Sequence, residues 1–91
     1  MFEPVTIELK KPIEHGQGQV ERLVFNREPV AGDFFDLQPS GWTAGDYGLV
    51  ISRLTDQPLP VIKRLSVPDF RAAMLRVEAF LSAGQETGSE S

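Results

Sequence analysis

The sequence predicts an α+β fold in which an N-terminal β-hairpin packs on a C-terminal bundle of two to four short helices. Residues 4–13 alternate apolar and polar side chains, which is the pattern of a half-buried strand. Two later segments carry apolar residues at helical spacing, one ending near Leu54 and one beginning near Ser66. Pro58 and Pro60 separate these two segments, because proline lacks the backbone N–H that a continuing helix needs.

The hairpin joins the alternating segment to a second strand-like stretch over residues 19–27. Residues 14–19 between them contain two glycines, which predict a connecting loop of about five residues. The second stretch alternates imperfectly, and this indicates a β-bulge within it. Because an isolated hairpin is marginally stable in water, its apolar face must lie against the helices.

Capping patterns predict where the two long helices begin. Thr43 stands three residues before Asp46, and Ser66 stands three residues before Asp69, as in a capping box. The apolar stripes that follow are Tyr47, Val50, Ile51 and Leu54 in the first helix, and Phe70, Ala73, Met74, Val77 and Leu81, with Phe80 beside them, in the second.

The last helix is predicted to end near Ser82, with Gly84 as a left-handed cap. Residues 84–91 contain no apolar side chain, so they are predicted to form a disordered polar tail. The sequence therefore divides into a single small α+β domain over 1–83 and a tail over 84–91.

The middle of the chain concentrates features that a binding surface would use. Gly45 and Gly48 weaken the first helix and allow another chain element to approach it closely. Phe34, Phe35 and Trp42 lie nearby, and the sequence leaves open whether they are core residues or exposed anchors in an interface.

Composition excludes several classes of protein. The chain of 91 residues carries a net charge of −4, which argues against sequence-independent nucleic-acid binding. It contains no cysteine, no apolar run long enough to span a bilayer and no N-terminal signal-peptide pattern. These features predict a single cytoplasmic domain without disulfides or membrane contact.

No catalytic, cofactor or metal motif stands out. His15 lies in the glycine-containing turn, and no nucleophile and orienting acid accompany it in the sequence. The aspartates are scattered at helix starts and loops, where capping and solvation explain them, and no window fits a calcium loop. The glycines form no phosphate-binding motif. The sequence thus predicts a non-enzymatic binding protein without cofactor or metal.

Several short motifs follow one another in order over residues 5–82. They are Leu9-x-x-Pro12-Ile13, Gly18, Leu23-x-Phe25-Asn-Arg27-Glu-Pro29, Gly32-Asp33, Leu54-Thr-Asp-Gln-Pro58, Val61-Ile62-x-x-Leu65, Asp69 and Val77-x-x-Phe80-Leu81. In this order and spacing they resemble the small tail assembly proteins of Mu-like and related contractile-tailed phages, which are counted among the tail assembly chaperones.

The resemblance implies a role in phage or prophage tail assembly in the cytoplasm of the bacterial host. Such proteins bind the long tape-measure protein before the tail tube polymerises around it, and they are absent from the mature virion. The implied partner is the tape-measure protein, with the tail tube protein and a frameshifted longer form of the chain as further candidates. A homo-oligomer remains open. The alternatives are a small cytoplasmic protein-binding adaptor and a minor structural component of the tail.

A hydrophobic groove framed by residues 47–54 and 70–81 would cover an apolar stripe of the tape-measure protein. The negative charge of the domain would keep the complex soluble. The predicted protein-binding residues are Trp42, Tyr47, Val50, Ile51, Leu54, Phe70, Met74, Val77 and Leu81.

Overall fold

A computed structural model describes residues 3–37 and 41–89 of the chain, with side chains as far as Leu81. The elements in chain order are β1 (Val5–His15), β2 (Gly18–Phe25), a 3₁₀ turn (Ala31–Asp33), α1 (Ala44–Thr55), α2 (Leu59–Lys63) and α3 (Val67–Ser89). The two strands pair antiparallel, and the helices follow them. The predicted α+β class, with a hairpin before a small set of helices, is confirmed.

The turn of the hairpin is tighter than the predicted loop of about five residues. His15 pairs with Gly18, so only Gly16 and Gln17 connect the strands. Gly16 has a φ of 62°, a value that glycine adopts without steric cost. Glycine at the first central position is the signature of a two-residue type II′ turn, whose twist matches that of the strands.

The β-bulge lies in β1, whereas the sequence pattern had indicated the second strand. Glu8 pairs with Arg22 and Ile13 pairs with Val20, so residues 9–12 face a single residue on β2. Pro12 falls within this stretch, and its missing N–H cannot contribute to the hydrogen-bond ladder. The bulge frees backbone N–H groups from the ladder at this point.

Asp69, at the start of α3, binds the N–H groups that the bulge releases. Its carboxylate accepts hydrogen bonds from the backbone N–H of Lys10 at 3.0 Å and of Lys11 at 3.1 Å. Ser66 Oγ accepts from the Asp69 N–H at 3.3 Å, which confirms the predicted cap. The Asp69 carboxylate also interacts by a hydrogen bond with the Ser66 side chain. Burial disfavours the charged form, but these N–H donors outweigh it and lower the pKa of Asp69.

The core lies between the inner face of the hairpin and the three helices. Phe25 of β2 meets Phe80 of α3 edge to face, with ring centroids 5.7 Å apart. The buried apolar residues are Leu9, Ile13, Leu23, Phe25, Val50, Ile51, Leu54, Val61, Ile62, Ala73 and Val77.

Helix α3 continues past Gly84 to Ser89, so the predicted helix end near Ser82 is wrong. Glycine lowers helix stability by about 1 kcal/mol but does not end a helix by itself, and no proline follows it in the sequence. The division into a domain over 1–83 and a disordered tail over 84–91 stays a prediction. Residues 90–91 of that tail lie outside the described residues.

Candidate protein-binding groove

Helix α1 begins at the position that its capping pattern predicted. Thr43 Oγ1 accepts from the Asp46 N–H at 3.2 Å, and Asp46 Oδ2 accepts from the Thr43 N–H at 3.0 Å. This reciprocal capping box is confirmed. It satisfies two backbone donors at the helix start and fixes the direction in which α1 leaves the preceding loop.

An apolar groove of about 290 Å³ opens beside this first turn, between α1, α2 and the start of α3. Its lining consists of Ala44, Gly45, Gly48, Leu59, Ile62, Lys63, Leu65, Val67 and Phe70. Eight of these nine residues are apolar or glycine, and Lys63 supplies the charge. Val67 is 68% exposed although it is a large apolar residue, so the groove has an uncovered apolar wall.

Gly48 forms part of the floor of the groove. A Cβ atom at this position would lie 3.7 Å from Ile62 Cγ2 and 3.9 Å from Leu59 Cδ1, which are ordinary van der Waals distances. A Cβ at Gly45 would likewise meet only Thr43 Oγ1, at 3.6 Å. Alanine would therefore fit at both positions, and the missing side chains deepen the groove without being needed for helix packing.

Four of the nine predicted binding residues are core residues. Val50, Ile51, Leu54 and Val77 have no exposed surface, so they cannot touch a partner in this conformation. They are instead the places where α1 and α3 pack on the hairpin. The helical stripes identified the buried faces of the helices, which in a chain of this size supply the core.

The other five predicted binding residues are partly buried. Phe70 lines the groove. Met74 and Leu81 pack against the core from α3. Tyr47 donates its hydroxyl to a Glu78 carboxylate oxygen at 2.7 Å, which joins α1 to α3, and the adjacent carboxylate raises the pKa of Tyr47.

Trp42 belongs to an aromatic cluster that also contains Phe34 and Tyr47. Its ring lies 5.3 Å from each of the other two rings, measured between centroids. Phe34 and Trp42 are half-buried, whereas Phe35 is 85% exposed. The sequence left open whether Phe34, Phe35 and Trp42 are core or exposed. In the structure, Phe34 and Trp42 pack partly against the core, and Phe35 is on the surface.

The groove contains residues that sequence analysis did not select. Leu59, Leu65 and Val67 belong to the joint between the two long helices, where the sequence pattern indicated only prolines and a helix cap. The signal that pointed to the groove was the pair of glycines in α1, because glycine inside a helix leaves room for close approach.

Two arginine–carboxylate pairs hold the loop between β2 and α1. Arg27 donates both terminal nitrogens to the Asp33 carboxylate, at 2.9 and 2.8 Å. Arg53 of α1 does the same to Asp36, at 3.0 and 2.8 Å, and also reaches the Asp33 carbonyl oxygen at 2.6 Å. The Arg27 and Arg53 hydrogen bonds lower the pKa of Asp33 and of Asp36 respectively.

A second cavity, of about 320 Å³, lies between the hairpin and the α2–α3 joint, and its lining is mostly polar. Arg64 in this cavity already donates to the Glu14 carbonyl oxygen at 2.7 Å. Across the described residues, no group of three His, Cys, Asp or Glu side chains could hold a metal ion. None of the described helices is both long and apolar enough to cross a bilayer. By contrast with this polar cavity, the groove between α1, α2 and the start of α3 is mostly apolar.

Comparison with known protein families identifies the class of this protein. A family model described as phage tail assembly chaperone proteins matches residues 6–82, which is most of the chain. This agrees with the resemblance seen in the motifs, and it defines a protein that acts in phage tail assembly.

The chain belongs to this family, whose full description is phage tail assembly chaperone proteins, E, or 41 or 14. No curated protein and no solved structure matches the chain. The family is one of assembly chaperones and not of enzymes.

Proposed function

We propose that this chaperone binds the phage tape-measure protein and keeps it soluble in the host cytoplasm until the tail tube polymerises around it. The observation that carries the proposal is the open apolar groove on an acidic domain of a tail assembly chaperone family. In this proposal the chaperone leaves before the particle is complete and is absent from the mature virion.

The occupant that fits the groove is an amphipathic helix of the tape-measure protein. Gly45 leaves the backbone of α1 exposed, and Gly48 adds no side chain to the floor of the groove, so a partner helix can approach more closely than side chains would allow. Apolar side chains at helical spacing would enter between Leu59, Val67 and Phe70. Lys63 on the lining favours a carboxylate beside that stripe.

The charge of the domain supplies the second part of the function. A long helical protein with uncovered apolar stripes associates through them before assembly. Covering one stripe with a domain of net charge −4 both removes the apolar surface and adds repulsion between complexes.

The residues proposed to contact the partner differ from the nine predicted from sequence. Phe70 remains as a groove contact, and Leu59, Leu65 and Val67 join it. Trp42, Tyr47, Met74 and Leu81 are half-buried and would act at most through the parts of their side chains that remain exposed.

Co-expression with the tape-measure protein tests the proposal. The measurements are the soluble fraction of the tape-measure protein and the mass of the complex by size-exclusion chromatography with light scattering. We expect a soluble complex with the wild-type chain, and insoluble tape-measure protein when it is expressed alone.

Two matched variants locate the contact. Val67→Asp places a charge on the groove wall, whereas Leu75→Asp places the same charge on a part of α3 that does not line the groove, and Leu75 is 59% exposed. We expect Val67→Asp to lose the complex and Leu75→Asp to keep it. Equal binding by the two variants would contradict the groove as the binding site.

A longer, frameshifted form and the tail tube protein are further proposed partners. Expressing the whole genomic region, with its frameshift, tests whether the longer form is needed. If the tape-measure protein remains insoluble even then, tape-measure chaperoning by this chain is wrong.

A further inference from the structure

We propose that Arg64 and Asp69 are positioning residues for the apolar groove, because they tie one of its walls to the hairpin. This wall is formed by residues 63–67, from the end of α2 to the start of α3, and we call it the partition. The residues that line the groove come from α1, α2, the partition and α3. The hairpin therefore affects the shape of the groove without forming part of its lining.

Side chains of the partition alternate between the two cavities on either side of it. Lys63, Leu65 and Val67 line the apolar groove. Arg64 and Ser66, which lie between them in the sequence, line the polar cavity beside the hairpin. A single short stretch of backbone thus separates the two cavities, so a displacement on the polar side moves the apolar wall with it.

The first connection to the hairpin is the Asp69 carboxylate, just beyond the partition. Asp69 is only 2% exposed. Its carboxylate accepts the Lys10 N–H at 3.0 Å and the Lys11 N–H at 3.1 Å, and both donors belong to the irregular stretch of β1. Hydrogen bonds to an ionised carboxylate are stronger than those between neutral groups, so this contact fixes the first turn of α3 against β1.

The second connection is Arg64, within the partition. Its guanidinium donates to the Glu14 carbonyl oxygen at 2.7 Å, across the polar cavity. Both residues are exposed, and substitutions at exposed positions usually change the free energy of unfolding little. The effect of Arg64 on the position of the partition can therefore be measured separately from its effect on stability.

The partition has little else to hold it in place on the groove side. Helix α2 before it has five residues, and so short a helix is not stable by itself. The Leu65 N–H donates to the Ile62 carbonyl oxygen at 3.2 Å, a local bond that shapes the turn but does not fix it against β1. Val67 is 68% exposed. Because a binding site that is loose by about 1 Å loses function, the two connections on the polar side should determine how well the groove binds.

Methyl NMR spectroscopy of the free chain tests whether the partition moves. Arg64→Ala removes one connection, and Asp69→Asn weakens the other because the amide keeps a single acceptor oxygen. We expect the Val67 methyl resonances to shift in both variants, although Val67 is not adjacent to either substitution. The methyl resonances of Leu75, which lines neither cavity, should stay in place.

Calorimetry with a tape-measure helix tests the effect on binding, and this second measurement rests on the proposed function. At a temperature where the variants are folded, Arg64→Ala and Asp69→Asn should each bind about two- to tenfold more weakly than the wild type. Arg64→Lys, which can still donate to the Glu14 carbonyl oxygen, should bind more tightly than Arg64→Ala. Arg76→Ala removes an exposed arginine that lines neither cavity, and it should bind as the wild type does.

Arg64→Ala gives the deciding result, because its exposed position should leave the chain folded even if Asp69→Asn does not fold. Unchanged Val67 resonances in this variant would overturn the inference. Wild-type affinity for the tape-measure helix in this variant would also overturn it, and would leave the proposed function intact. A wild-type chain that does not bind the helix would contradict the proposed function instead, while the resonances of the free chain would still decide whether Arg64 positions the partition.

Discussion

The two sides of α1 differ in how completely they are occupied. On one side, Arg53 and the Arg27–Asp33 pair hold the loop between β2 and α1 with charged hydrogen bonds. On the other, Gly45 and Gly48 leave a groove that alanine side chains could partly fill. The comparison shows that the two sides of α1 have different roles. The charge-paired side holds the helix in place, and the groove side stays accessible to a partner.

The two sides of α1 should also contribute differently to the free energy of unfolding. Each glycine in a helix interior lowers stability by up to about 1 kcal/mol relative to alanine. The capping box of Thr43 and Asp46 and the bidentate arginine pairs contribute in the opposite direction. The groove side should therefore control binding, and the paired side should control the free energy of unfolding.

Replacing Asp33 should produce the largest loss of stability. In Asp33→Asn the amide group faces the donors of Arg27 and Val30, and only one carbonyl oxygen remains to accept from them. We expect a decrease of about 2 kcal/mol in the free energy of unfolding, measured by urea denaturation. Tape-measure binding by the folded fraction should not change.

Glu28→Gln is the matched control, because Glu28 is an exposed carboxylate in the same loop. Its effect should stay within about 0.5 kcal/mol. If both variants lose the same stability, the paired side does not have the role assigned to Asp33.

Acid should lower the stability of the folded protein by a smaller amount. The pKa values of Asp33, Asp36 and Asp69 are lower in the folded protein than their usual value of about 3.9. Their contribution is therefore present above that value and is lost as the pH falls through their folded-state pKa values. The urea midpoint should decrease below about pH 4, and less steeply in Asp33→Asn. Identical pH profiles for variant and wild type would show that Asp33 is not a source of this dependence.

Filling the groove should produce the smallest change in stability, and in the opposite direction. Gly48→Ala should raise the free energy of unfolding by about 0.5–1 kcal/mol, because alanine favours the helix and its Cβ has room. The same methyl group makes the groove shallower, so tape-measure binding should weaken. Isothermal calorimetry with a tape-measure helix measures the second effect.

Gly32→Ala provides the comparison on the paired side, where a Cβ meets open space. It should leave binding unchanged. Full binding by Gly48→Ala would mean that the partner does not use the depth of the groove at that position.

Local patterns in the sequence were sufficient to predict the hairpin and both helix starts. Thr43 and Ser66 cap the helices as expected, because capping depends on residues three positions apart. The helical stripes were also real, but Val50, Ile51, Leu54 and Val77 form the core rather than the binding surface. Periodicity identifies which face of a helix is buried and does not distinguish a core from a partner.

Features that join distant parts of the chain could not be predicted in this way. The groove combines α1, a five-residue α2 and the first turn of α3, and no single segment carries its pattern. Asp69 looked like a helix cap, yet its carboxylate binds N–H groups 58 and 59 residues away. Nothing in the spacing of those residues indicates the contact, because it depends on a bulge whose position was itself mispredicted.

The bulge in β1 also affects whether copies of this protein can aggregate with one another. A two-stranded sheet has two edges, and a flat, regular edge can recruit a strand from another molecule. In β1 the irregular stretch of residues 9–12 contains two lysines and a proline, all exposed. Charge, a missing N–H and a distorted backbone each discourage strand addition, and Asp69 already accepts hydrogen bonds from the Lys10 and Lys11 amides in this stretch. The hairpin is thereby protected from edge-to-edge pairing with the hairpins of other copies.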